Sequence, residues 1–351
     1  MFVRCMSCHD CWCSIGCLSR PVRWDSARYT NVMWIARLSF GGVAAIKHAM
    51  RTTIFLCIAL GLLNAGCSVK RFAVNQVGNA LAGSGTTFSA DDDPELIKAA
   101  LPFSLKLMES LLAESPQHRG LLLATSSGFT QYSYAFIRQD ADELEERDVA
   151  GAKALRERAA RLYRRARDYG LRGLETQSRG FEQSLRKDPK AAVRQLTRAD
   201  VPLLYWTAAS WGSLISLSKN KPDVVADQPL VEAMIDRALE LDEAYDHGAI
   251  HSFLITYEMA RSGLSDAERT KRARQHFEKA VQLSGGQQAG AFVSLAENVC
   301  VQQQKKKEFQ DLLNRALAID ADARPEWRLV NLVMQRRARW LLSRTEELIV
   351  E

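Results

Sequence analysis

Near the start of the chain, the stretch CMSCHDCWCSIGC holds Cys5, Cys8, Cys11, Cys13 and Cys17 beside His9 and Asp10. Thiolates spaced like Cys5 and Cys8 can share one cation, and structural zinc needs four such ligands in a tetrahedron. A zinc fold normally draws its second pair from a dozen or more residues away, so that the chain closes around the ion. The PVRWDSARYTNVMW that follows supplies no second cysteine pair. His247 and His251 stand four apart on one helical face, a spacing that suits a metal. Gly248 occupies the place where a zincin carries its glutamate base, and no third ligand is evident. Ser126-Ser127-Gly128 lacks the glycine pattern of a nucleophile elbow, because Thr125 stands two before Ser127. No Gly-rich phosphate loop occurs. The sequence therefore predicts no catalytic residue, no metal site and no cofactor.

A different cysteine carries the chemistry. In MRTTIFLCIALGLLNAGC, from Met50 to Cys67, Arg51 is a short positive region, Ile54 to Leu63 is apolar, and Asn64-Ala65-Gly66 is a small-residue cleavage region. These features describe a signal peptide. The apolar run rises only about 15 Å as a helix, half the thickness of a bilayer's hydrocarbon core, so it is too short to span one. Cys67 follows as in a bacterial lipobox, with Asn64 where the motif usually has Leu. The expectation is a diacylglyceryl-modified Cys67 as first mature residue, held in a membrane by two or three acyl chains. Ser68 rather than Asp after it points to the inner leaflet of the outer membrane. An export signal must be N-terminal to be read, so residues 1–49 are expected to be a misassigned upstream extension, with translation starting at Met50.

That cut changes the composition. The chain has 47 Lys+Arg and 41 Asp+Glu, but residues 1–66 hold 7 of the former and 2 of the latter, leaving 40 against 39. The basic character belongs to the leader, and nothing remains to attract nucleic acid. Of eight cysteines, Cys67 and Cys300 survive. Without a disulfide framework, the mature protein depends on its core.

Residues 67–93 read as the lipidated cysteine and a tether. Val69, Phe72, Ala73, Val77, Ala80 and Leu81 share one helical face, expected to dock on the body. Asp91-Asp92-Asp93 suggests calcium, but Asp93-Pro94-Glu95 has the pattern of a helix start: an N-cap acid, Pro at the first position and negative charge against the dipole. From residue 94 to 351 the periodicity is helical throughout. An internal pattern recurs at Ala159-Tyr163-Ala166, Val231-Ile235-Ala238, Ala273-Phe277-Ala280 and Phe309-Leu313-Ala316, with ALELD and ALAID as its clearest echoes. The closing alanine lets neighbouring helices approach. The fold class is thus all-α, a superhelical array of tetratricopeptide-like helix hairpins with capping helices at both ends.

Aromatics cluster at two places on this array. Phe129, Tyr132, Tyr134 and Phe136 lie near Ser126, and Tyr205, Trp206 and Trp211 sit on a later helix. Inner helices of a repeat array line a concave groove, so these residues, with His251 and Tyr257, are the candidates for an apolar ligand slot. The final helix carries Gln335-Arg336-Arg337-Ala338-Arg339, expected to be the solvated side of a terminal cap.

Two stretches are more specific than the repeat. SGTTFSADDDPELIKAALPFSLKLMESLLAESPQHRGLLLATSSGFTQYSYAFIRQDADELE and ALAIDADARPEWRLVNLVMQRRARWLL resemble the T-component family of TRAP transporters, the TatT lipoproteins. The similarity runs from about Cys67 to Ser343. It implies a periplasmic lipoprotein with cryptic tetratricopeptide-like hairpins. Its implied partner is the substrate-binding P subunit of a tripartite ATP-independent periplasmic uptake system, and members can form ring-like trimers. The alternative is a tetratricopeptide-type lipoprotein scaffold in cell-envelope assembly. Neither reading makes the protein an enzyme.

Overall fold

The computed structural model describes residues 73–83 and 85–350, with the isolated positions His48, Met50 and Thr53. The chain divides into two compact units, Met1–Gly66 and Cys67–Glu351, and only the second is described at length. The cysteine cluster and Cys67 lie outside the described residues, as does the signal segment apart from Met50 and Thr53.

All regular structure in the described part of the second unit is helical. A first helix, α1, covers 73–83. It is followed by α2 (Gly85–Ser89), α3 (Pro94–Glu114), α4 (Arg119–Tyr132), a π-helical turn (Ser133–Arg138), α5 (Gln139–Leu144) and the long α6 (Val149–Glu175). Next come α7 (Phe181–Lys187), α8 (Pro189–Arg194), α9 (Val201–Ser216), α10 (Pro222–Val225), α11 (Gln228–Leu241), α12 (Ala249–Glu258), α13 (Asp266–Ser284) and α14 (Ala289–Leu295). A second π-helical turn (Ala296–Cys300) precedes α15 (Lys306–Leu317), α16 (Arg328–Ser343) and α17 (Thr345–Leu348). Among the described residues no helix is long and apolar enough to cross a membrane.

The helix starts follow from local chemistry. The Asp93 carboxylate accepts hydrogen bonds from the backbone N–H groups of Glu95 and Leu96, each at 3.0 Å, with Pro94 opening α3. Asp148, Asp188 and Ser265 cap α6, α8 and α13 in the same way. Along the chain the long helices pack pairwise: α3 on α4, α4 on α6, α6 on α9, α9 on α11, α12 on α13, α14 on α15 and α15 on α16. The recurring small-large-small positions face these interfaces. Ala159, Tyr163 and Ala166 are fully buried, as are Val231, Ile235, Ala238, Phe309, Leu313 and Ala316. Phe277 is only half-buried and meets Phe292 edge-on, with ring centroids 5.6 Å apart. The helices α4, α6 and α9 approach closely at Gly170, where a Cβ would lie 2.2 Å from Thr207 Oγ1 and 3.1 Å from Ser126 Oγ.

Two expectations need correction. The α1 helix does dock, but on a face rotated from the one its apolar residues suggest. Gly78 is buried against Leu121, with Val74, Asn75, Leu81 and Ala82 half-buried, while Ala73, Val77 and Ala80 are exposed. Closeness decides the face: a Cβ on Gly78 would come within 2.7 Å of Leu121 Cδ1, and Asn75 Oδ1 accepts the Ser115 hydroxyl at 2.8 Å. In α16, in turn, Arg339 is exposed as expected of a solvated side, but Arg336 and Arg337 are not. Arg336 reaches Asp140 and Glu143, and Arg337 reaches Asp142, so the last long helix is bridged to α5 nearly two hundred residues earlier. Gln335 is buried and donates to the Ala316 and Ile319 carbonyls, closing the end of α15.

Candidate functional site

Both π-helical turns arise where side chains compete for backbone partners. In α4 the hydroxyls of Thr125, Thr130 and Ser133 donate to the carbonyls of Leu121, Ser126 and Phe129 at 2.6–2.7 Å. Such back-bonding weakens the regular helical ladder and bends the helix. The chain then widens through Ser133–Arg138. At the second turn Asn298 donates to the Ser294 carbonyl at 2.9 Å and to Thr256 Oγ1 at 3.1 Å. Single-turn π segments are rare and often mark functional sites.

The two turns meet at one cleft of about 60 Å³. Tyr134 and Arg138 enter from the first turn, Glu297 and Asn298 from the second, Asp142 from α5, Thr256 from α12, and Val333, Met334 and Arg337 from α16. Arg337 organises its charges. It donates to Asp142 Oδ2 at 2.9 Å and holds the Glu297 carboxylate through Nε and Nη2. Arg156 takes the other oxygen of Asp142, also at 2.9 Å. Burial disfavours the charge on Arg337, but Glu297 and Asp142 outweigh it and raise its pKa. Tyr134 keeps 45 % of its surface exposed, yet its phenol titrates above the ordinary value, first through desolvation and then through Glu297. Tyr134 lines the cleft.

A second aromatic group centres on Tyr205 of α9. Tyr205 packs edge-on against Trp206 at 4.9 Å and lies 5.5 Å from Tyr245 and 6.4 Å from Phe253. Its phenol is pushed up by burial, then by the negative charge of Asp246, then by Tyr245 and Tyr134. Asp246 and His247 have φ of 43° and 54°, ahead of Gly248 at 94°. Two non-glycine residues in the left-handed region store strain, which concentrates at functional surfaces. The Asp246 carboxyl is pushed up by desolvation, and the His247 ring sits 5.0 Å from that of Trp327.

Of the residues singled out from sequence, Tyr134 lines the cleft, and Tyr205 and Trp206 are half-buried outside its lining. Ser126, Phe129, Tyr132, Phe136, Trp211, His251 and Tyr257 are buried. Trp211 is enclosed between the guanidinium groups of Arg167 and Arg186, 4.9 and 5.6 Å from its ring centre. His251 pairs not with His247 but with His276, Nδ1 to Nδ1 at 2.8 Å, with Glu243 at 3.7 Å from its Nε2. Among the described residues no group of three or more His, Cys, Asp or Glu could hold a metal ion. Sequence reasoning missed Arg138, Asp142, Glu297 and Asn298. One signal was available for the acids: the run RQDADELEER is complementary in charge to QRRAR near the other end of the chain.

The model of the family described as TRAP transporter T-component matches residues 90–349, from just before α3 to the end of α17. The chain belongs to the TRAP transporter T-component family. This T-component is also similar to an uncharacterized protein of Treponema pallidum (strain Nichols), 29 % identical over 331 residues that cover 87 % of this chain and 100 % of the relative. The family is one of transporter accessory components and not of enzymes. Both π turns, α5 and α16 of the T-component lie within the matched span.

Proposed function

We propose that this T-component is a periplasmic scaffold of a TRAP-type uptake system that binds the substrate-binding P subunit. Its helix pairs act as a tetratricopeptide-like array, and a groove walled by aromatic side chains such as Tyr134 and Tyr205 receives an apolar small solute. The observation that carries the reading is the family match across nearly the whole described body. The packing supports it: small residues such as Ala166, Ala238, Ala280 and Ala316 are buried where helices meet, as a scaffold of stacked hairpins requires.

The same reading includes export and anchoring. Translation from Met50, cleavage before Cys67 and acylation of that cysteine would tether residues 67–93 to the inner leaflet of the outer membrane. Mass spectrometry of the mature N-terminus tests this part, because an unmodified Cys67 would contradict it. For the partner, affinity capture of the mature protein from its own envelope is the test. Recovery of a TRAP solute-binding subunit is the expected outcome, and recovery of cell-envelope assembly factors alone would replace the reading with a scaffold for assembly.

A further inference from the structure

Leu96, Ala99, Phe103 and Leu107 recur at three- and four-residue intervals along α3, opposite its buried Ile97, Leu105, Met108 and Leu112. Phe103 is 73 % exposed and Leu96 56 %. A row of apolar side chains open to solvent on one helical face marks a contact surface. Beside it α6 presents a basic face. Arg158, Arg161, Arg164, Arg165 and Arg172 are all exposed, against the acids Glu157 and Asp168. Arg167 holds Asp168 at 2.7 Å, and Arg161 and Arg164 make no ion pair among the described residues. The two faces meet at Glu109 of α3, whose carboxylate takes Lys106 at 2.6 Å and Arg165 of α6 at 3.4 Å. Lys106 lies one turn beyond Phe103, so basic and apolar side chains border each other.

Such a border suits a membrane. Anionic headgroups attract arginines while aromatic and aliphatic side chains enter the boundary of the acyl chains, as in helices that lie along a bilayer surface. The tether favours lipid over an acidic protein. Ala73, the first described residue of α1, is six residues beyond Cys67, a reach of at most about 20 Å. The α1 helix then lies against the turn between α3 and α4, where Asn75 Oδ1 accepts the Ser115 hydroxyl at 2.8 Å. Arg172 of α6 donates to the Pro116 carbonyl in that same turn at 3.1 Å. An acylated Cys67 would thus hold this side of α6 close to a bilayer. We propose that the face formed by α3 and α6 lies against an anionic lipid surface, with Arg161 and Arg164 at the headgroups and Phe103 and Leu107 in the acyl boundary. The choice of lipid rests on the anchored reading of Cys67 given above, whereas the binding itself needs no acyl chain.

Co-sedimentation with vesicles of residues 67–351 carrying Cys67→Ser tests it, the substitution removing any acyl contribution. This stretch is a compact unit of its own and contains the hydrophobic core clusters of the described residues. Binding to vesicles of phosphatidylcholine with phosphatidylglycerol is expected to be at least about tenfold tighter than to phosphatidylcholine alone. It should vanish toward about 1 M salt, where the screening length is about 3 Å. Arg161→Gln with Arg164→Gln should weaken it about twentyfold, about fivefold for each charge, and Phe103→Ser about tenfold. All three side chains are exposed, so the variants keep the fold, which circular dichroism checks. Equal binding to both vesicle types, no binding to either, or unchanged affinity in both variants would overturn the proposal. So would self-association, or binding of the P subunit, that Phe103→Ser abolishes in a protein that does not bind vesicles. A negative result leaves acylation of Cys67 standing, because the mass of the mature N-terminus decides that separately.

Discussion

Arg337 of α16 donates to Asp142 of α5 at 2.9 Å and at the same time grips Glu297 of the second π turn, so one guanidinium ties together three elements distant in sequence. Only 12 % of its side chain is exposed. Breaking such a pair leaves uncompensated carboxylates in a desolvated place. Arg337→Met keeps the length of the side chain and removes the charge, and is expected to cost about 2–3 kcal/mol in urea unfolding. A double-mutant cycle with Glu297→Gln should show coupling of about 1 kcal/mol or more, and additive effects would mean the pair is inert.

The contact of Gly170 with Thr207 gives a second expectation. A Cβ at Gly170 would sit 2.2 Å from Thr207 Oγ1, on a hydroxyl already bonded to the Leu203 carbonyl at 2.5 Å. Gly170→Ala is therefore expected to destabilise by about 2 kcal/mol through overpacking. Thr207→Ala in the same chain should restore part of that loss, measured by thermal unfolding of the single and double variants.

Stability should depend on pH through the histidine pair. His276 is held down to about 4, chiefly by desolvation and then by His251, and His251 is lowered by desolvation as well. A histidine with a depressed folded pKa is neutral in the native protein while the unfolded chain takes up protons, so stability falls as pH drops from the ordinary histidine value of 6.5 toward about 4. The loss is on the order of 2 kcal/mol after allowing for the partial exposure of His276. Melting temperatures across that window should decline in the parent protein and flatten in His276→Gln.

Strain at the turn before α12 should be recoverable. Asp246 has φ of 43°, a region where glycine carries no steric penalty. Asp246→Gly is expected to raise stability by about 0.5–1 kcal/mol. A drop in unfolding free energy would show that the carboxylate, and not the backbone, determines that position.

Much of this architecture is legible locally. Asp93-Pro94 announces the start of α3, and Ala159, Tyr163 and Ala166 mark the buried stripe of α6, because caps and helical periodicity act within a few residues. The site was legible only in part. Tyr134 stood out by its aromatic neighbours, whereas the partners of Arg337 are 40 and 195 residues away and nothing in QRRAR distinguishes a bridging arginine from a solvated one. The face of α1 was misread for a related reason: Gly78 binds by its lack of a side chain, which an apolar pattern does not register.

The most direct test of the scaffold role is sedimentation velocity of the purified mature protein mixed with the P subunit of the same organism's TRAP system. A complex sedimenting faster than either component, at micromolar concentration, is the expected result. Two independent boundaries at every mixing ratio would contradict it.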